Sequence, residues 1–355
     1  EMKGGYLDLK RNVDIGKFPL GVKVGARMYE ESKDNRRATR SWTFVGPDGV
    51  ANTADDSAAN YIDTNYSKED PYWGSRPIEW VDAYKLASEL QAHPNYFSEN
   101  LATSEAFRIN NSEKVTETIT AYYLQLEGKF FNNRLEVITG ARYENTHDRG
   151  ETVLFQPDVV FQRNPDGSYV DGDPLTAGVQ RVRKPEAGAA GSLQEVQLTR
   201  IERGNRPDRS FSGTYPSLNF KFDATQNLVV RLGYAKTFGR PDYTNILSNA
   251  NATTFDENDV DPTQPGTITL RNAGLKPWTA DNYDLSIEYY FSKSGFATAG
   301  IFQKDIADFF TSFSGTLTAP LAAELDIDPR FVGWGINTTV NGTGTARIIG
   351  YEASV

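Results

Sequence analysis

The chain has no cysteine. That excludes a disulfide framework, a thiolate metal site and a cysteine nucleophile. Its two histidines, His93 and His147, are too few for a histidine-based metal cluster. No stretch approaches about 18 consecutive apolar residues, so no helical membrane span is encoded. Positive charge is also short. Thirty-seven Lys and Arg stand against 47 Asp and Glu, a formal charge of -10. A chain this acidic, with a pI near 4.9, is a poor nucleic-acid binder. Aromatics are not scarce at 12%, which argues against wholesale disorder, and 355 residues can bury a large core. What remains is a β-rich or mixed protein. The mean hydropathy of -0.53 leaves one membrane class open. In a transmembrane β-barrel only every second strand residue is apolar, so the average stays hydrophilic.

The chain begins at Glu1, with no initiator Met and no signal peptide, and stops at Val355 inside an alternating run. We read it as a fragment, whose missing signal says nothing about compartment.

Alternation with period two dominates. Leu20, Val22, Val24, Ala26 and Met28 alternate with Gly21, Lys23, Gly25, Arg27 and Tyr29. Leu135, Val137, Ala141 and Tyr143 alternate with Glu136, Gly140, Arg142 and Glu144. Leu228, Val230, Leu232 and Tyr234 alternate with Arg231, Gly233 and Ala235. The cleanest run sets Tyr283, Leu285, Ile287, Tyr289 and Phe291 against Asn282, Asp284, Ser286, Glu288 and Tyr290. Noisier strands fit near 5–11, 116–130, 214–222, 296–310 and 344–355, giving about nine in all. Many exceed the usual globular length and suit a tilted bilayer crossing of about 9–11 residues. Pattern alone does not separate such a barrel from a soluble sandwich with one solvated face.

The connections bear on that choice. Short links near 12–17, at Asn132-Asn133, at Ala224-Thr225-Gln226 and at Ser292-Lys293-Ser294-Gly295 alternate with long ones near 34–114, 149–209, 241–280 and 311–343. Strict alternation sends every long loop to one end. Short turns on one side and long loops on the other is the layout of an outer-membrane barrel. Within the long links, Pro77 to His93 reads as an amphipathic helix with Ile78, Val81, Leu86 and Leu90 on one face and Pro94 beyond its end. Pro320 to Leu325 fits a short helix, and Gly188 to Gly191 is small and flexible. No repeat of fixed period accompanies the hairpin rhythm.

These residues resemble a family. The run Tyr215-Pro-Ser-Leu-Asn-Phe-Lys, then Asn227-Leu-Val-Val-Arg-Leu-Gly-Tyr-Ala-Lys-Thr with Arg240-Pro241, resembles TonB-dependent outer-membrane receptors. So does Arg271-Asn-Ala-Gly-Leu-Lys-Pro-Trp, which contains Asn272, Leu275 and Pro277. Asn282, Tyr283, Asp284 and Glu288 follow, and Gly300-Ile-Phe-Gln-Lys-Asp-Ile-Ala-Asp-Phe-Phe and Gly350-Tyr351-Glu352 continue the likeness. It is densest over 210–355, while residues 1–148 fit only through strand pattern. The resemblance implies an all-β, antiparallel transmembrane barrel of about 22 strands. Short turns would face the periplasm and long loops the outside. A plug domain would sit inside it. Its partners would be outer-membrane lipid, a small-molecule or oligosaccharide ligand, and the TonB–ExbB–ExbD energy complex, reached through the plug. It implies no cofactor and no enzymatic activity. It sets this chain in the middle and late barrel, without plug, TonB box or last strands. About nine strands do not close into such a lumen, so the piece alone should aggregate through its edges. The flavour is near the Caulobacter and Xanthomonas type, several of which look like carbohydrate importers.

Each candidate site residue also has a plainer structural role. All five tryptophans lie in or beside the long links. Loop Trp and Tyr suit an apolar sugar face, which makes Tyr72, Trp73, Trp80 and Trp334 candidate ligand residues. Trp42 and Trp278, near strand ends, fit an interfacial girdle, and Trp80 also suits helix packing. Arg27, Arg142, Arg231, Asp284 and Glu288 are the expected lumenal charges. They hold an anionic ligand or, more commonly for such networks, pair with one another. Two acidic loops offer oxygen ligands for calcium: Asp48, Asn52, Asp55 and Asp56, and Asp256, Glu257, Asp259 and Asp261. Neither has EF-hand spacing, and a solvated loop is the commoner use. There is no nucleophile elbow and no Walker loop. His147 and Asp148 are adjacent, so on a strand they face opposite ways. His93 suits a helix C-terminus.

Four functions compete. An active outer-membrane transporter would have a plug and a TonB box. A passive porin would lack both. An outer-membrane enzyme would depend on His147. A soluble sugar-binding sandwich would dissolve as 355 residues. The first is favoured, with an oligosaccharide as first ligand and a ferric siderophore as second.

Overall fold

A computed structural model describes residues 1–16, 18–69, 74, 78–176, 179–242, 245, 247, 250–253, 266–272, 274–292, 294–325, 327 and 332–355. In chain order the elements begin with β1 (Met2–Ile15), β2 (Phe18–Arg36), β3 (Trp42–Phe44), α1 (Ala83–Ala92), β4 (Phe97–Glu99) and α2 (Leu101–Asn110). Then come β5 (Ser112–Phe130), β6 (Leu135–Phe155), α3 (Leu193–Thr199), β7 (Arg200–Asn205), β8 (Asp208–Asp223) and β9 (Leu228–Gly239). Last are β10 (Ala250–Thr253), β11 (Thr267–Leu270), β12 (Trp278–Tyr290), β13 (Phe296–Ala307), β14 (Phe310–Thr316), α4 (Ala319–Glu324), β15 (Gly335–Asn341) and β16 (Thr345–Ser354).

One sheet runs β1-β2-β5-β6-β8-β9-β12-β13-β16, with β7 paired to β6. Neighbouring strands are antiparallel in register, for example Tyr143 against Tyr122 and Leu285 against Leu232. Tight turns close the hairpins. At the β5–β6 turn Phe131, Asn132 and Asn133 all have positive φ, and Arg134 N donates to Phe131 O at 3.3 Å. Asn tolerates that left-handed region better than most residues, which explains the Asn pair.

The sheet's two faces differ, and the apolar one is exposed. Leu9, Leu124, Leu232, Leu285, Ile287 and Ile349 project from it, with Leu232 at 50% and Ile287 at 44% exposure. A soluble sandwich buries its aliphatic face, so this face requires an apolar surrounding. On β6 it reads Leu135, Val137, Ala141 and Tyr143, then turns polar at Asn145, His147 and Arg149. On β5 Leu126, Leu124 and Tyr122 give way to Thr120, Thr118 and Thr116. The apolar band thus ends at a Tyr122–Tyr143 pair, about nine residues from the tight turn, which suits one bilayer crossing. Beyond it the preference inverts. Val115, Ile119 and Ala121 are buried on the opposite face.

The chain divides into two units, Glu1–Asn35, Ser112–Phe155 and Glu202–Val355, and Arg36–Asn111 with Gln156–Ile201. The first contains a second, smaller sheet, β10-β11-β15-β14, in which β11 and β15 pair in parallel. Ile268, Leu270, Leu317, Ala322 and Ile336 are its core, with Phe313, Leu321 and Trp334 packed around them. Thr318 caps α4 by accepting from Leu321 N at 3.4 Å.

In the second unit the helix expected over 77–93 is shorter, Ala83–Ala92. Asp82 is its N-cap and accepts from Tyr84 N at 2.9 Å and Lys85 N at 3.0 Å, so the helix starts there. Val81 instead bridges Ile62, and Pro77 lies outside the described residues. The expected girdle residue Trp42 sits on β3, paired with β4 rather than ending a long strand, and the Arg40 guanidinium stacks on it at 4.7 Å.

Candidate functional site

Registers fix which side chains share the charged face. Arg231 lies opposite Ser286, Asp284 opposite Gly233, Arg142 opposite Tyr123, and Glu144 opposite Ala121. Arg231 Nε donates to Glu288 at 2.7 Å, and Tyr290 Oη also donates to that carboxylate at 2.9 Å. Of the two acids offered to Arg231 by the sequence, Glu288 takes it. Asp284 stands beside Phe302 and helps line a recess of 440 Å³ with Glu136, Asn219, Lys221 and Arg231.

A second recess, of 670 Å³, is lined by Tyr6, Asp8, Lys23, Arg27, Tyr29, Tyr123 and Arg142. Tyr123 Oη donates to Asp8 at 2.6 Å, and Lys23 pairs with Asp8 at 3.5 Å. Gly25 makes room for this, because a Cβ there would meet the Tyr123 ring and the Asp8 carboxylate. Arg27 lies 5.7 Å from the Tyr29 ring and makes no ion pair among the described residues. Arg142 is tied to Glu144 at 2.6 Å.

Above the apolar band Glu144 is shared. Arg240, just past β9, bonds its carboxylate, reaches Thr146 Oγ1 at 3.3 Å and approaches Glu117 at 3.9 Å. Glu117, Glu144 and Asp148 are all buried. The sequence offers Asp148 only as the neighbour of His147 and gives Glu117 no role. Their signal was an acid inside an alternating run whose other same-face residues, Ile119 and Ala121, are apolar. His147 faces the other way, as adjacent strand residues do, and its Nε2 sits 2.7 Å from Asp208.

The remaining candidates separate. Tyr72 and Trp73 lie outside the described residues, as do Asp256, Glu257, Asp259 and Asp261. Trp80 is 55% exposed and precedes α1 rather than lying on it. Trp334 packs against the small sheet's core. The Asp48 loop uses its carboxylates on itself. Asp48 accepts from Val50 N at 2.8 Å, Asp55 from Asp48 N at 3.1 Å, and Asp56 from Thr53 N at 3.0 Å. The hydrogen bond from Thr53 Oγ1 holds Asp55 below its ordinary pKa. Among the described residues no group of three or more His, Asp or Glu is arranged to hold a metal ion.

Several motif residues are structural. Asn272 donates to Thr339 O at 3.0 Å and accepts from Gly274 N at 2.8 Å, while Leu275 is buried and Pro277 leads into β12. Asn282 donates to Ala235 O at 2.9 Å, and Tyr283 packs on Tyr234 at 5.2 Å. Pro241 follows Arg240 at the end of β9. Gly350 lies against the Phe302 ring, which a Cβ would strike, and Glu352 is exposed opposite Gly300.

The family model described as TonB dependent receptor-like, beta-barrel, matches residues 5–355. The chain belongs to the TonB-dependent receptor β-barrel family. Its aliphatic face is therefore the lipid face, its charged face is lumenal, and it is an outer-membrane barrel segment. Among solved structures it is similar to a hemophore receptor of Serratia marcescens, HasR, solved with its hemophore HasA and heme. The TM-score is 0.50 and the identity 12%, over 99% of this chain and 38% of that one. It is also similar to the ferric-catecholate import receptor Fiu of E. coli K12, at 0.46 and 12%, over 99% of this chain and 35% of that one. The alcaligin receptor FauA of Bordetella pertussis scores 0.44 at 10%, over 99% and 35%. The chain thus spans about two fifths or less of the length of these neighbours. No curated protein sequence matches it.

Proposed function

We propose that this barrel segment supplies lumenal wall and external loops to a receptor that takes up a scarce ligand. Uptake is energised by the TonB–ExbB–ExbD complex acting on a plug domain. The ligand class best supported is an anionic chelate of the ferric-siderophore kind. One observation carries that reading: Arg27, without an ion pair among the described residues, stands in a recess with Lys23, Arg142 and three tyrosines. A guanidinium suits planar oxyanions, and tyrosine rings suit a flat organic ligand. The test is ligand binding to the full-length receptor with Arg27→Ala. Loss of one charged contact, about 1.5–3 kcal/mol, would weaken an anionic chelate by roughly 10- to 150-fold. Unchanged affinity for every ligand that the intact receptor takes up would remove the site.

A second reading, an oligosaccharide, is favoured by the exposed Trp80, with Tyr66 and Tyr84 exposed in the same unit. Removing Tyr72 and Trp73 should then weaken saccharide binding. A passive, porin-like pore is the remaining alternative. Uptake that persists when a protonophore collapses the inner-membrane gradient would favour it.

A further inference from the structure

Three carboxylates on the lumenal face of β5 and β6, just above the bilayer band, are nearly inaccessible. Glu117 is 6% exposed, Glu144 5% and Asp148 3%. Two guanidinium groups answer them. Arg142 is paired with Glu144, and Arg240 with Glu144 and Glu117. Among the described residues, three carboxylates stand against the two guanidinium groups paired with them, so one carboxylate has no ion pair. It belongs to Asp148, whose Oδ1 is buried with no hydrogen-bond partner. Asp148 stands directly across from Glu117 in the β5–β6 register. Side chains so placed have Cβ atoms roughly 4.5–5.5 Å apart. Two carboxylates that close, out of water, do not both ionise readily.

Among the described residues, other charged or titratable groups flank the pair. From β2, Tyr29 donates to Glu31 at 3.2 Å. From β8, Tyr215 stacks on Phe238 at 4.1 Å, and Arg209, opposite Asp148, is exposed and donates to Asp208 O at 3.4 Å. His147, beside Asp148 on the strand, faces the other way.

We propose that Asp148 and Glu117 share one proton at neutral pH, forming a proton-binding site at the outer mouth of the lumen. With the proton bound the cluster is neutral and Arg240 stays docked on it. Without the proton the mouth carries one buried, uncompensated negative charge. Burial, and next the charge of Glu117, push Asp148 up to about 7, against the pull of Arg240 and His147. A pKa raised in the folded state stabilises that state at acid pH. The contribution is complete below the ordinary carboxyl range, declines about tenfold in the folding equilibrium for each pH unit between about 4 and about 7, and is gone above the folded-state pKa. This site stands whatever the cargo proves to be.

The test is an isotope-edited infrared titration of the full-length receptor in its membrane, following the C=O stretch of protonated aspartic acid. The expected result is a band present at about pH 6, lost around pH 7 to 8 and absent in Asp148→Asn. A parallel pH series of thermal unfolding should show stability falling from about pH 4 to about pH 7 in the parent and less steeply in Asp148→Asn, with the two slopes alike above about pH 7. If Asp148→Asn does not assemble, the parent's infrared titration decides alone. An Asp148 that is already ionised at about pH 6, or a parent band that Asp148→Asn leaves unchanged, overturns the proposal. So does an identical pH profile of stability in the two proteins.

Discussion

Leu285 and Asp284 are adjacent on β12 yet face different media. Leu285 pairs with Leu232 and Ile301 on the lipid face, while Asp284 pairs with Gly233 and Phe302 on the lumenal face. Tyr283 and Tyr289 bracket Leu285 and Ile287, which sets Leu285 near the middle of the apolar band. The same substitution, to Arg, therefore meets hydrocarbon at one position and a polar lumen at the next. A lipid-facing Arg near the midplane costs about 2–4 kcal/mol, whereas lumenal substitutions are far better tolerated. That is roughly a 30- to 1,000-fold shift in the folding equilibrium for Leu285→Arg. For Asp284→Arg the expected shift is under about tenfold, as for a substitution away from the core. The assay is the fraction of full-length receptor that migrates as a folded, heat-modifiable band, followed through a urea series. Equal losses for the two variants, or a greater loss for Asp284→Arg, would refute the face assignment.

Other predictions follow from packing. A Cβ on Gly140 would collide with the Leu124 carbonyl oxygen, which is backbone and does not yield. Gly140→Val should destabilise the β5–β6 pairing by about 1–3 kcal/mol, read as a lower urea midpoint of the folded band. Trp334→Ala should loosen the Ile268–Leu317–Ile336 core by about 2–3 kcal/mol, less than a fully buried Trp because Trp334 is half-buried. Limited proteolysis should then cut within 308–344 first, and unchanged cleavage would mean that Trp334 does not hold that sheet. Arg231→Ala breaks a pair whose Arg is 46% exposed, so assembly should change by only about 0–1 kcal/mol.

The transmembrane strands were legible because lipid outside and charge inside enforce strict alternation. Tyr283 to Tyr289 marks β12 for that reason. The same strands were cut short where they leave the bilayer. Above Tyr122, the outward positions Thr120, Thr118 and Thr116 are polar and the inward ones, Glu117 apart, are apolar, so the pattern changes phase and the alternation sets the start of β5 near 116 rather than at Ser112. Near 296–310 one apparent strand is two, because Asp308 adopts positive φ between β13 and β14. The small sheet left no local signal. Its parallel pairing joins Thr267–Leu270 to Gly335–Thr338 across a long stretch of sequence. Lumenal charges could be named singly. Which acid takes Arg231, and that Arg240 turns back onto β5 and β6, depend on register and on a link's path.

The most direct test of the central claim is fractionation of the source cells with an antibody to this chain. The account requires the antigen in the outer-membrane fraction, with different mobility heated and unheated in detergent, as a closed barrel gives. A soluble antigen with heat-insensitive mobility would contradict the barrel, and with it the assignment of lipid and lumenal faces.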